Sequence, residues 1–254
     1  MIALRLDELP ELGELDARAA EITGVKVDSR RVEPGDLFVA IGRGVDFLDD
    51  AMARGAAATL LPRQPFEAMA VLGSLVRDRA DARVVGITGS TGKTSTKDIL
   101  AALCATSART VAAEASYNNE IGVPLTLCRL EPDTEVCILE LAMRGFGQIA
   151  DLCRIARPHI GVVTNVGPVH LELVGSLEGV LKAKGELVAA LPPGGTAIVP
   201  EEFPVGRDDV EVVRLGEPHA RRDGDRTIVG GVSFNFTAAH QAANAATALA
   251  AVPH

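Results

Sequence analysis

The sequence has no tryptophan, a single tyrosine and only 3% aromatic residues in 254 positions. It lacks any long basic run, and its formal charge is −9. Phosphate backbones are bound through clustered Lys and Arg, so a nucleic-acid surface is not expected. A small anion is different, because a local loop of backbone amides can hold one against the net charge. Cysteine is scarce too: Cys104, Cys128, Cys137 and Cys153 are well separated, with no C-x-x-C pair. That spacing argues against a zinc site or a disulfide framework, and reduced, mostly buried thiols are expected. No apolar run approaches the ~20 residues of a membrane-spanning helix. The opening MIALRLDELPEL has early acids and no apolar core, so it does not read as a secretory signal. A cytoplasmic location is the resulting expectation. What is present is a chain 47% hydrophobic and long enough for two domains.

Residues 1–82 read as a small α/β unit. Lys26–Arg30 and Asp36–Ile41 have the look of short strands, separated by the turn signal Pro34-Gly35. A helix is expected over Leu48–Gly55 and a strand over Ala57–Leu61. The polar stretch Arg77–Arg83 sets the expected domain boundary. Beyond it the pattern alternates strand and helix. Strands are expected at Arg83–Thr88, Glu135–Glu140, His159–Asn165 and Thr196–Val199. Helices are expected at Thr94–Thr106, Ile149–Ala156 and Leu177–Leu191. Such alternation predicts an α/β domain over 83–254 with a mainly parallel sheet flanked by helices. Ligands then gather at the carboxyl ends of the strands. Towards the end, Glu211–Leu215 and Thr227–Phe236 are candidate strands, and Thr237 is a candidate N-cap for an Ala-rich helix reaching about Ala251.

One further absence is informative. The segment GITGSTGKT, Gly86 to Thr94, lacks the first glycine of G-x-x-x-x-G-K-[ST], because Ile87 stands at that position. The mechanics of a phosphate loop are nevertheless present. Thr88-Gly89-Ser90-Thr91-Gly92-Lys93-Thr94-Ser95 follows an apolar strand and opens a helix. Gly89 and Gly92 let backbone amides turn inward, and the helix N-terminus adds positive potential. Lys93 can reach outer phosphates, and the Thr94 hydroxyl can be placed on Mg²⁺. The plain alternative is a glycine turn between strand and helix.

Other polar residues could share that site. Glu140 ends an apolar strand, where a carboxylate suits a metal ligand beside a triphosphate; an ordinary helix N-terminal acid is the alternative. TNVGPVHLE places Asn165, His170 and Glu172 after another strand, although a lone histidine is more often structural. Asn118 and Asn119 precede a Gly-x-Pro turn and could simply form it. Lys182 and Lys184 lie on a helix, where local reasoning favours a solvated face. His240 and Asn244 stand at i and i+4 on one helical face.

Taken together, TGSTGKTSTKD, NNEIGVP, LELAMRGFGQI, TNVGPVHLELVGS, KAKGEL and HQAAN resemble the Mur ligases, in the order that family shows. The nearest resemblance is to the type that adds D-alanyl-D-alanine to a UDP-N-acetylmuramoyl tripeptide. VDSRRVEPGDLFVAI resembles the family's UDP-sugar-binding domain. The T-G-x-x-G-K-T loop is the family's own variant. Ser116 stands where the family's N-x-N-N run has its first Asn.

The resemblance implies an ATP-dependent amide ligase working through an acyl phosphate, with two Mg²⁺ ions. It implies that Lys93 holds the outer phosphates and that Thr94, Glu140 and His170 bind metal. Lys184 matches a lysine carbamylated in many members, with Lys182 the alternative if the helix register differs. Asn118 and Asn119 would orient phosphate and substrate, His240 and Asn244 would lie near adenine, and Ser29 and Arg30 would contact the uridine nucleotide. The family carries a third, amine-binding domain after the H-x-x-x-N helix, and this sequence stops at His254. The expectation is therefore a chain with the first two domains: its amine site would come from a partner chain, or the chain is a fragment or a reduced paralogue. A binding module without catalysis, a split-enzyme subunit, or an amino-acid-adding ligase of the same superfamily are the competing readings.

Overall fold

The computed structural model describes residues 1–168 and 175–253. The first strands are β1 (Leu4–Arg5), β2 (Gly13–Ala17), β3 (Glu21–Ile22), β4 (Gly24–Lys26), β5 (Asp36–Val39) and β6 (Ala58–Pro62). Strands β2, β6, β5 and β4 form a four-stranded sheet in that order, with only β2 antiparallel to its neighbour. Helix α1 (Leu48–Ala53) precedes β6, and α2 (Pro65–Asp78) follows it.

The second sheet has six strands, all parallel, in the order β12-β11-β10-β7-β9-β8. Its members are β7 (Arg83–Thr88), β8 (Thr110–Ala112), β9 (Val136–Glu140), β10 (Ile160–Val163), β11 (Thr196–Pro200) and β12 (Glu211–Leu215). The expected α/β class and mainly parallel sheet are borne out. Alternate side chains enter opposite cores: Cys137 and Leu139 face one, Val136 and Ile138 the other. Helices α3 (Lys93–Cys104) and α7 (Ala239–Ala250) pack together and share the second core. Helices α4 (Gly122–Leu127), α5 (Gln148–Ala156) and α6 (Leu177–Ala189) contribute to the first. Strand order reverses around β7, since β8 and β9 lie to one side and β10 to β12 to the other. That is where an open parallel sheet forms its ligand crevice.

Several local expectations need correction. The strand predicted over Lys26–Arg30 ends at Lys26, and Ser29–Arg31 form a 3₁₀ turn. The Asp28 carboxylate accepts from the Arg30 amide at 3.1 Å, a local bond that competes with sheet pairing. The strand predicted over Thr227–Phe236 is a hairpin of β14 (Arg226–Val229) and β15 (Val232–Phe234), joined through Gly230 and Gly231 at φ +56° and +82°. β13 (Ala220–Asp223) pairs with β14 to complete a small antiparallel sheet. The cap of α7 is Ala238, not Thr237; the Thr237 carbonyl is within reach of the Arg222 guanidinium instead.

Helix α2 was hidden in the sequence by the charged ends of its segment. Ala68, Met69, Leu72 and Val76 repeat at helical spacing and are buried. Pro65 opens the helix at a position where a missing amide costs nothing. Arg77 is buried and spends its guanidinium on the carbonyls of Ala156 at 2.9 Å and Ala80 at 3.0 Å. All four cysteines are free and buried, and burial pushes the Cys128, Cys137 and Cys153 thiols up to about 12. No helix among the described residues is long and apolar enough to cross a membrane.

Candidate functional site

The segment after β7 has the backbone of a phosphate loop. Gly89 and Gly92 take φ of +152° and +80°, conformations that disfavour a side chain. Space excludes one as well. A Cβ on Gly89 would lie 1.8 Å from Thr164 Oγ1, and one on Gly92 would lie 2.4 Å from Asn244 Oδ1. The loop is fixed from β10's end. Ser90 exchanges hydrogen bonds with Gly167, accepting from its amide at 2.8 Å and donating to its carbonyl at 3.1 Å. Asn165 Oδ1 accepts from the Thr91 amide at 2.9 Å, and Thr164 Oγ1 donates to the Thr91 carbonyl at 2.6 Å. Thr164 and Asn165 are thus loop-fastening residues, a role legible only once β10 is known to lie beside β7.

Lys93 opens α3 and donates to the Gly89 carbonyl at 2.9 Å, folded over its own loop. Desolvation lowers its pKa, partly offset by the nearby Glu140 carboxylate. Thr94 Oγ1 donates to Glu140 Oε2 at 2.8 Å, and Asn118 Nδ2 donates to Glu140 Oε1 at 2.9 Å. Glu140 is 2% exposed at the carboxyl end of β9, and both of its side-chain oxygens accept a hydrogen bond, as buried polar atoms require. A hydroxyl and a carboxylate are hard oxygen donors of the kind Mg²⁺ takes.

Lys184 was expected on local grounds to be solvated. It is instead 2% exposed on α6, and burial together with the charge of Lys93 lowers its pKa to about 8. Lys182, the alternative residue, is exposed, with its ammonium 5.5 Å from the Phe146 ring centre. Asn119 acts as a turn former, its Oδ1 accepting from the amides of Ile121 at 3.2 Å and Gly122 at 2.9 Å. Asn244 is buried against the loop, whereas His240 is exposed. His170 and Glu172 lie outside the described residues. Among those described, no group of three His, Cys, Asp or Glu side chains is placed to hold a metal.

Ser29 and Arg30 lie away from the loop. They line a cleft of about 440 Å³ with Phe38, Arg43 and Phe47. Arg30 is 81% exposed at its side chain and pairs with Asp28 at 2.7 Å, a contact that holds the Asp28 carboxyl down to about 2. Ser29 and Arg54 hold the Asp50 carboxyl below its ordinary value, Arg54 donating to it at 3.1 Å.

A glycine-turned loop at the switch point of a parallel sheet, with lysine and threonine opening the next helix, has the form of a nucleoside-phosphate-binding α/β domain. Residues 87–252 match the model of the Mur ligase middle domain. The chain belongs to the Mur ligase family. It is 38% identical to the UDP-N-acetylmuramoyl-tripeptide–D-alanyl-D-alanine ligase of Synechocystis sp., over 90% of this chain and 57% of the relative. It is 39% identical to the Escherichia coli enzyme of the same name, over 78% of this chain and 48% of the relative. Among solved structures, the D-alanyl-D-alanyl ligase of Acinetobacter baumannii superposes with TM-score 0.79 at 26% identity, covering 94% of this chain and 62% of that one. MurF from Thermotoga maritima in complex with ADP gives TM-score 0.73 at 26% identity, covering 89% and 62%. The chain spans about half the length of the curated relatives it matches.

Proposed function

We propose that this chain is the ATP- and UDP-substrate-binding part of a cytoplasmic ligase in peptidoglycan precursor synthesis. The reaction would join D-alanyl-D-alanine to a UDP-N-acetylmuramoyl tripeptide. Residues 1–82 would bind the UDP-sugar peptide, with Ser29 and Arg30 at the uridine nucleotide, and 83–254 would bind ATP. The amine site would come from a further domain or a partner chain. The observation that carries this reading is the Thr94–Glu140–Asn118 contact at the mouth of the loop.

Thr94 and Glu140 would hold Mg²⁺, which when bound neutralises charge on the outer phosphates. A second ion would be held by His170, with Lys184 as its carbamate. The amides of 88–95 orient the phosphates, and Lys93 would leave the Gly89 carbonyl to meet them. Asn118 and Asn119 would position the substrate at the phosphate, and Asn244 with His240 would border the adenine. The peptide's terminal carboxylate then attacks the γ-phosphorus, giving an acyl phosphate and ADP. The amine displaces phosphate from that acyl group. No protein nucleophile is required; positioning and charge neutralisation carry the chemistry.

Calorimetric titration with ATP and Mg²⁺ tests the reading. Saturable binding is expected, weakened roughly 10–100-fold in Lys93→Ala. A folded chain that binds no nucleotide would defeat the proposal. Mass spectrometry of the chain with ATP, Mg²⁺, bicarbonate, the UDP-tripeptide and D-alanyl-D-alanine then asks whether these residues alone yield the UDP-pentapeptide.

A further inference from the structure

Lys97 is a buried cation that the chemistry above leaves unused. It follows Thr94 by three residues on α3 and is 2% exposed. Its Nζ donates to the carbonyls of Ala113 at 2.7 Å and Ala115 at 3.0 Å, and lies 2.9 Å from an Asp98 carboxylate oxygen. The two carbonyls belong to the strap that joins β8 to α4. Ala115 has φ +45°, a left-handed conformation that opposes its Cβ and persists only where surroundings enforce it. Three residues later Asn118 donates to Glu140 Oε1, while its own carbonyl accepts from the Ala142 amide at 2.9 Å.

We propose that Lys97 is a positioning residue: its ammonium fastens residues 113–115 so that Asn118 orients the Glu140 carboxylate towards Thr94. This rests on the reading of Thr94 and Glu140 as the metal-holding pair. The terminal torsion of a glutamate is broad and does not fix its oxygens unaided. Asn118 occupies one oxygen and leaves the other for Thr94. Because Lys97 and Thr94 share one helix, the element bearing the hydroxyl also anchors the strap that aims the carboxylate. One register, α3 against the strap, sets both donors.

The test combines amide exchange with nucleotide binding in Lys97→Met, Asn118→Ala and the double variant. Lys97→Met should speed exchange over 113–118 by about tenfold or more, with the rest of α3 unchanged. It should weaken ADP binding in Mg²⁺ about tenfold and leave binding in EDTA within about twofold. Asn118→Ala should show the same split, and the double variant should be no weaker than the worse single one. Equal losses with and without Mg²⁺, additive effects, or unchanged exchange would each overturn the proposal. Lys97→Gln, too short to reach both carbonyls, replaces Lys97→Met if that variant does not fold. A parent chain that binds no nucleotide would remove the ligase reading, while exchange over the strap would still decide whether Lys97 fastens it.

Discussion

Lys184 shows what single residues contribute to a site and what they cost. Its ammonium is buried on α6 near another cation, and its pKa falls to about 8 from 10.5. Below pH 8 the folded protein holds a proton it would bind more tightly when unfolded, and the penalty is constant there. Between pH 8 and 10.5 the unfolded chain binds more protons, so stability rises with pH. Lys184→Met should therefore stabilise the fold by ~1–3 kcal/mol at pH 7, with the gain shrinking as pH approaches 10.5. Urea unfolding of both proteins at pH 7 and pH 10 measures this; a gain that grew with pH would contradict the burial argument. The same depressed pKa leaves a neutral amine available near pH 8, the form that takes up carbon dioxide.

At the scale of elements, α5 depends on a residue from another helix. Gly147 caps α5 at φ +85° with no side chain to serve the free amides. Glu186 of α6 supplies the acceptors, at 2.6 Å from the Gly147 amide and 3.1 Å from that of Ala150. A carboxylate there also meets the positive end of the helix dipole. Glu186→Ala should cost ~1–2 kcal/mol, and Glu186→Gln should recover part of it. Denaturant melts of the two variants check the order. Equal stability of all three proteins would mean that water serves α5's amides as well as Glu186 does.

At the scale of the whole molecule, one core connects both sheets. Leu37, Val39 and Leu60 from the four-stranded sheet, Leu72 and Val76 from α2, and Leu139, Leu152 and Leu187 belong to one continuous apolar cluster. Cooperative unfolding is therefore expected as a single transition. Leu72→Ala, at a fully buried position, should lower that transition by about 3 kcal/mol without splitting it. Calorimetry distinguishes this from two melting units, which would appear as a calorimetric enthalpy exceeding the van't Hoff value.

The sequence by itself determined the parallel-sheet class, the glycine-turned loop before α3, and the family, because these rest on short-range signals. Continuous apolar strands alternating with helical segments, the glycines of T-G-x-x-G-K-T and each of the short motifs are local. It misread Lys26–Arg30 and Thr227–Phe236, where Asp28 and the Gly230-Gly231 pair turn the chain inside β-like composition. Tertiary structure decided how far Lys184 is desolvated. Helical spacing sets it with Val180, Leu187 and Val188, about 200° round the helix from Lys182, but only the docking of α6 removes its water. Tertiary structure also decided the partners of Glu140. Thr94, Asn118 and Glu140 come from three separated segments, and only the packing of α3, the strap and β9 brings their oxygens and nitrogen within hydrogen-bond distance.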